Sequence, residues 1–261
     1  MKKEQSIKNI QENVRQKSLP YQKLSLIYDK MMQHVEYGRW AKYIKKIIEQ
    51  FSPISPYLLD VGCGTGQFIK KIRQLGIPAD GCDISPTMIA LARKKNPDAN
   101  FWVDQMPQLA YVPNGKYSII TCLYDTINYL PNIQSLTQTI TRVYDLLPKQ
   151  GLFIFDVVSE SFCLHYFHDI EENEIIDECF AYSRYSHYHL GTKQQVNEIQ
   201  IYTPEGIFEE RHVQKIFTFR KIKSVIHRKT DFRLLAVYEN FSFFEAEEDS
   251  NRAHFILQKS G

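Results

Sequence analysis

The sequence predicts an α/β fold: a mostly parallel seven-stranded sheet with helices on both faces and an antiparallel β-meander inserted into it. Three observations predict it. Between residues 57 and 158, short apolar runs alternate with helical stretches, the rhythm of a parallel sheet covered on both sides. The first run passes through Asp60-Val61-Gly62-Cys63-Gly64-Thr65-Gly66, a glycine-rich turn that opens directly into a helix. After Val158 the period changes to two, with polar and apolar residues alternating, as in half-buried strands.

Each element follows in order. Residues 1–22 are polar and lysine-rich without an apolar leader core, and are expected to be mobile. Helices are expected at 24–32 and 38–51; in the second, Trp40, Ile44, Ile47 and Ile48 recur at helical spacing and should pack on the sheet. Strands are expected at 57–61, 79–82, 101–103, 117–123 and 152–157, with helices at 67–74, 86–94 and 133–147. Ser85-Pro86 reads as an N-cap followed by proline at the first helical position. Pro148 and Gly151 close the long helix. The meander runs are 181–190, 195–202 and 207–219, with Pro204-Glu205-Gly206 turning between the last two. A helix at 221–229 and two antiparallel edge strands, 234–244 and 254–258, complete the chain.

Composition bounds the function. A net charge of +2 and 43% hydrophobic residues exclude a disordered or strongly polyanion-seeking chain. Apolar runs stay well below the ~18 residues of a membrane span, so the expectation is a cytoplasmic protein with no membrane partner. Five scattered cysteines without a C-x-x-C pair argue against a disulfide framework and a zinc site. Cys63, Cys82 and Cys122 fall at strand ends, where a reduced thiol packs as a small apolar group. His187 and His189 share a strand face, and His165 and His168 lie a helical turn apart, but neither pair is completed into a ligand set. No metal is expected.

The chemistry concentrates at the glycine turn. Glycines at 62, 64 and 66 remove the Cβ atoms that would hold a ligand away from the backbone, and a helix N-terminus favours a carboxylate or phosphate. A nucleotide-like ligand is therefore expected. The spacing is wrong for a dinucleotide, because the third glycine comes one residue early and Gln67 follows it. Asp83, about 20 residues on, can accept both ribose hydroxyls; helix capping is its alternative role. Asp104 can take an adenine amino group while the Gln105 amide reaches the ring, or it can be a solvated loop acid. Asp60 can hold the turn or meet an ammonium group. Tyr28 and Trp40 can shield a cation with their faces, worth ~0.5–2 kcal/mol, or simply pack. In the run Tyr124 to Leu130 that follows the fourth strand, Asp125 can orient an amine or accept its proton, or cap the local turn. His212, on the third meander run, is a candidate base or acceptor ligand.

The run Asp60, Gly62, Gly64, Gly66 resembles the first motif, D-x-G-x-G-x-G, of the class I S-adenosylmethionine-dependent methyltransferases. Together with Tyr28-Asp29, Asp83, Asp104 and Asn128-Tyr129-Leu130, it resembles the small bacterial members with an aromatic N-terminal lid and a β-meander after the fifth strand. Sugar-amine and glycine/sarcosine N-methyltransferases belong to that group. The resemblance covers most of the chain, is tight from about 20 to 160 and loose from 160 to 233, and departs at Gln105-Met106, where many relatives carry methionine directly after the acid.

The resemblance implies a Rossmann-like fold and S-adenosyl-L-methionine as cofactor, held by Tyr28, Trp40, Asp60, Gly62, Cys63, Gly64, Gly66, Asp83, Ile84, Asp104, Gln105 and Leu123, with Asp125 or His212 handling the acceptor. It implies a mobile segment 1–22, a cofactor-binding core with a helical lid 23–160, an inserted acceptor-side subdomain 161–231, and last core strands 232–261. The expected reaction is methyl transfer to a small polar acceptor, an amine nitrogen first, by a monomer or homodimer. Two rivals stand beside it. Lys215, Arg220, Lys221, Lys223, Arg228 and Lys229 form a basic stretch that could hold RNA phosphates, against which stand the acidic segment 169–178 and the nearly balanced charge. A non-catalytic cofactor-binding protein is the other, since fold does not fix function.

Overall fold

The computed structural model describes residues 15–52 and 55–260. The first elements are β1 (Arg15–Lys17), α1 (Tyr28–Met31), α2 (Tyr37–Phe51), β2 (Leu58–Val61), α3 (Gln67–Gln74), β3 (Ala79–Asp83) and α4 (Pro86–Lys95). Then come β4 (Phe101–Val103), β5 (Ile119–Cys122), α5 (Ile133–Leu146), β6 (Leu152–Val158) and α6 (Glu160–Tyr166). The chain continues through β7 (Ile170–Ile175), β8 (Ala181–His189), β9 (Gln194–Thr203) and β10 (Gly206–Lys215). It ends with α7 (Phe219–Lys229), β11 (Phe232–Glu239) and β12 (Arg252–Lys259). Among the described residues these elements form two compact units, one from 15–35 with 163–214, the other from 36–162 with 215–260.

The larger unit holds the seven-stranded sheet in the order β11-β12-β6-β5-β2-β3-β4. Strands β4, β3, β2, β5 and β6 run parallel, while β12 is antiparallel to both β6 and β11. Alternation along the strands assigns the two faces. Leu59, Val61, Phe153, Phe155 and Val157 share one core cluster with α5 (Leu136, Ile140, Val143) and α7 (Phe219, Ile222, Val225, Ile226). The intervening residues, Asp60 and Asp156 among them, point to the opposite face. There Tyr43 of α2 sets its ring against His254, the cross-strand neighbour of Asp156, at 4.9 Å. The α2 stripe buries Trp40, Ala41, Tyr43, Ile44, Ile47 and Ile48, each large apolar member contributing about 1.5–3 kcal/mol. Phe155 and its register partner Phe255 stack at 5.0 Å.

The smaller unit is a five-stranded sheet in the order β1-β10-β9-β8-β7, with β1 parallel to β10 and β7, β8 and β9 antiparallel. Leu24, Ile27, Tyr182, Ile199 and Ile201 form its core. Buried Glu210 accepts bonds from the amides of Tyr21 (2.7 Å), Lys23 (2.7 Å) and Leu24 (2.9 Å) and from Ser18 Oγ (3.1 Å).

Several expectations are corrected. Residues 15–22, inside the segment expected to be mobile, are held by β1 and by the Glu210 bonds to Ser18 and Tyr21; residues 1–14 lie outside the described residues. The helix expected at 24–32 is a 3-10 turn, Leu24–Leu26, followed by the four-residue α1. The acidic run contains β7, whose Glu172 and Glu174 both accept from the Tyr182 hydroxyl, Glu172 also pairing with Arg184. Residues 15–35 belong to the smaller unit, only Arg15–Lys17 among them joining its sheet, and the return to the larger unit comes at Lys215 rather than 232, because α7 contributes four side chains to its core. Strand β11 stops at Glu239, where Asn240 takes a left-handed φ of 46°. Among the described residues, no helix is long and apolar enough to cross a membrane.

Candidate active site

The carboxyl ends of the parallel strands carry most of the residues singled out in the sequence. The glycine turn leaves β2 with positive φ at Gly62 (76°), Gly64 (52°) and Gly66 (76°), backbone that residues with a Cβ adopt only at a cost. Gly62 has a second reason to be glycine: a Cβ there would lie 2.3 Å from Thr126 Cγ2. Gly66 would place a Cβ 2.7 Å from Asn96 Nδ2, which donates to the Gly66 carbonyl at 3.2 Å. The turn is thus pressed against the loop after β5 on one side and against the end of α4 on the other.

Asp83 closes β3 and ties the turn to it. One carboxylate oxygen accepts the Gly64 amide at 2.9 Å, the other the Ser85 amide at 2.8 Å. Ser85, not Asp83, caps α4, accepting the Met88 amide at 3.4 Å. Burial raises the Asp83 carboxyl above the usual range, opposed by those two amide bonds. Asp104 accepts three amides, from Gln105 (2.8 Å), Ala110 (3.1 Å) and Tyr111 (2.8 Å), and so shapes the loop after β4. The Gln105 amide, expected at an adenine ring, donates to that carboxylate. Cys63, within the turn, and Leu123, just past β5, are buried, and Ile84 is exposed.

Asp60 is buried on β2 and accepts a 2.7 Å bond from the Thr121 hydroxyl of β5. Burial pushes its carboxyl up to about 7, with the neighbouring Asp83 and Asp156 charges adding to the rise and the Thr121 bond opposing it.

Past β5, Tyr124 (φ 59°) and Asp125 (φ 51°) are consecutive left-handed residues, a costly conformation that surrounding bonds must hold. Asp156, fully buried on β6, accepts the Asp125 amide at 2.9 Å and a bond from the Tyr124 backbone. Arg252, at the start of β12, bonds Asp156 and reaches Asp125 Oδ1 at 2.7 Å. Burial works against the guanidinium's charge, but the Asp156 and Asp125 carboxylates hold its pKa above the ordinary value. Its planar head lies over the rings of Tyr124 (5.3 Å) and Trp40 (5.5 Å). Trp40, expected to close over a ligand, is buried in that packing, against Tyr124, Phe241 and His254.

Tyr28 and His212 belong to the smaller unit. Tyr28 packs at its core, edge-on to Tyr21 at 5.8 Å. His212 is buried, its Nε2 3.1 Å from Glu210 and its ring edge-on to Tyr21 at 4.7 Å.

Sequence reasoning missed Arg252, Asp156 and Thr121. Asp156 was detectable as the lone charge in the otherwise apolar strand Leu152-Phe153-Ile154-Phe155-Asp156-Val157-Val158. Arg252 carried no local signal.

A parallel sheet covered by helices on both faces, with a glycine turn and acidic side chains at its carboxyl edge, is an architecture that binds nucleotides. The family model described as "Methyltransferase domain" matches residues 32–246; the chain belongs to this family and is an S-adenosylmethionine-dependent methyltransferase. A Geobacillus sp. (strain WCH70) protein, whose methyltransferase name is itself provisional, is 28% identical over 92% of this chain and 100% of its own. A Streptomyces fradiae dTDP-3-amino-3,6-dideoxy-alpha-D-glucopyranose N,N-dimethyltransferase is 28% identical over 46% of this chain and 47% of its own. Among solved structures, an S-adenosylmethionine-dependent methyltransferase from Clostridium acetobutylicum ATCC 824 superposes with a TM-score of 0.76 at 20% identity, covering 92% of this chain and 98% of that one, and shares the fold.

The residues present suit the donor. The left-handed glycine turn offers backbone without side chains, and each Asp83 oxygen spends one acceptor site on an amide, leaving lone pairs for hydroxyls.

Proposed function

We propose that this enzyme methylates a small polar acceptor at an amine nitrogen. The observation that carries the reading is the Asp125 carboxylate, partly exposed at the carboxyl edge and fixed by Arg252. An oriented carboxylate beside the glycine turn suits an acceptor that is an ammonium ion in water. The similarity over half the chain to a dTDP-amino-sugar N,N-dimethyltransferase supports the same class.

S-adenosylmethionine supplies an activated methyl group on sulfonium, ready for displacement by a lone pair. The chain's own part is to bind, orient and deprotonate. Asp83 and the glycine turn would hold the nucleoside, and Asp104 keeps the neighbouring loop in shape. Asp125 would align the amine and accept its proton, because a protonated amine has no lone pair to attack with. His212 enters on its own chemistry: an imidazole fixed by Glu210 is oriented as a base is.

The test is an acceptor screen with methyl-labelled donor, using amino-sugar nucleotides, small amines, and total RNA with and without ribonuclease. Label on amines and none on RNA is expected; ribonuclease-sensitive label would overturn the reading. His212→Ala should lower turnover while leaving donor affinity within a factor of about two, ~0.4 kcal/mol. Full turnover in that variant would remove His212 from the chemistry.

A further inference from the structure

Helix α7 carries a charge that methyl transfer does not use. Between Phe219 and Lys229 it holds five cations, Arg220, Lys221, Lys223, Arg228 and Lys229, together with His227 and no acid. Phe219, Ile222, Val225 and Ile226 turn inward to the core of the larger unit. The cations are left on the outer side, where Arg220, Lys221, Arg228 and Lys229 are exposed.

The nearby acids are already engaged. Glu245 pairs with Lys223 at 3.6 Å, and Glu248 accepts the backbone amides of Phe219 and Arg220. Among the described residues, no carboxylate pairs with the side chains of Arg220, Lys221, Arg228 or Lys229. Helix stability accounts for only half of this pattern. Arg228 and Lys229 lie in the last turn, where a cation complements the helix dipole. Arg220 and Lys221 lie in the first turn, which has no acid, and there the dipole opposes them.

The chemistry of the face selects its partner. A protein interface is built around an apolar, aromatic-rich centre, but none of the large apolar side chains left exposed lies on α7. A helix lying in a membrane surface turns its apolar side to lipid, and the apolar side of α7 is in the core. A phosphate backbone needs cations alone. From Arg220 to Lys229 the helix advances roughly 14 Å, the length of about four phosphates along one strand of a duplex. We propose that the outer face of α7 docks the phosphate backbone of a nucleic acid through Arg220, Lys221, Arg228 and Lys229, without reading its bases. The nucleic acid is a tether here and not the methyl acceptor.

The experiment is fluorescence anisotropy of the intact protein with a labelled RNA of about 20 nucleotides, single-stranded and as a duplex, over a series of salt concentrations. Four phosphate contacts give a log–log slope of about −3, so affinity should fall about 60-fold between about 50 and about 200 mM salt. In Arg220→Gln/Lys221→Gln two contacts remain, and the fall should be about eightfold. Arg228→Gln/Lys229→Gln should show the same reduction. The first of these variants should melt no lower than wild type, because it takes two cations out of an unfavourable turn. Lys42→Gln/Lys46→Gln removes the same charge from exposed positions of α2, on the opposite face of the sheet, and should keep the wild-type fall. No binding at about 50 mM salt, an unchanged salt dependence in both α7 variants, or an equal change in the α2 variant would overturn the proposal. Phosphatidylserine vesicles that bind where RNA does not would overturn it in favour of a membrane surface. With no methyl donor present, the result does not depend on which acceptor is methylated.

Discussion

Asp125 and Arg252, 127 positions apart in sequence, meet through a 2.7 Å hydrogen bond that joins the loop after β5 to the start of β12. The same guanidinium holds Asp156, which holds the backbone of Tyr124 and Asp125. One half-buried cation thus fixes both a candidate acceptor ligand and the strained turn that presents it.

Removing that cation should be costly. Arg252→Met leaves buried Asp156 without its charge partner, and breaking a buried pair costs about 3–5 kcal/mol. Asp156→Asn added to Arg252→Met should recover part of the loss, since the orphaned charge is gone. Urea unfolding of the two singles and the double measures the coupling. Strictly additive losses would show that the pair carries no mutual stabilisation.

Gly62→Ala should weaken both the fold and donor binding. The left-handed φ alone costs about 1–2 kcal/mol, and the new Cβ meets Thr126 Cγ2 at 2.3 Å. Thr126→Ser, which removes that methyl, should restore the contact part of the loss and leave the conformational part. Thermal unfolding with and without S-adenosylmethionine separates the two; a double variant no better than Gly62→Ala would deny the clash.

Asp83→Ala removes the acceptor of the Gly64 and Ser85 amides as well as the proposed ribose ligand. Donor affinity should fall by ~1.5–3 kcal/mol, the range for charge-assisted hydrogen bonds. Calorimetry giving an unchanged dissociation constant would leave Asp83 as a tie between β3 and the turn only.

His254 makes a pH prediction with a definite sign. Burial lowers its pKa from 6.5 to about 3, helped by the nearby Arg252 charge. The unfolded chain therefore binds a proton that the folded chain refuses. The stability tied to its neutral form is full above 6.5 and is lost as pH falls toward 3. Asp60 acts in the opposite direction: its folded value of about 7 lies above the usual 3.8, so its contribution is full below 3.8 and is lost as pH rises toward 7. His254→Phe should remove the first effect and keep the second. The stability difference between variant and wild type should grow by roughly 2 kcal/mol from pH 7 to pH 5. A constant difference over that interval would mean that the His254 ring protonates while folded.

The architecture was readable because its causes are local. Helix α3 was placed residue for residue, Gln67–Gln74, by the glycine turn before it and the apolar spacing within it. Ser85 announced α4 by capping chemistry, and the glycines that shape the turn fall within five consecutive residues, 62–66. What the sequence concealed depends on the sheet's strand order. Arg252 is an ordinary surface type until β12 is set beside β6, and Glu210 reads as one more strand acid until the chain near Tyr21 folds onto it. Trp40 shows a third limit, because helical spacing marks a buried face without telling which aromatic will line a ligand.

The position of β12 also has a consequence for synthesis. Asp156 and Arg252 lie 96 positions apart, so a ribosome adding ~5–20 residues per second needs about 5–20 s to pass from one to the other. Throughout that time β6 is an open sheet edge, its apolar residues unpaired on one side and its aspartate without a counter-ion. The nascent chain is most exposed to wrong pairing after the glycine turn is complete and before its last strand has emerged, so a protecting chaperone would be of most use in that interval.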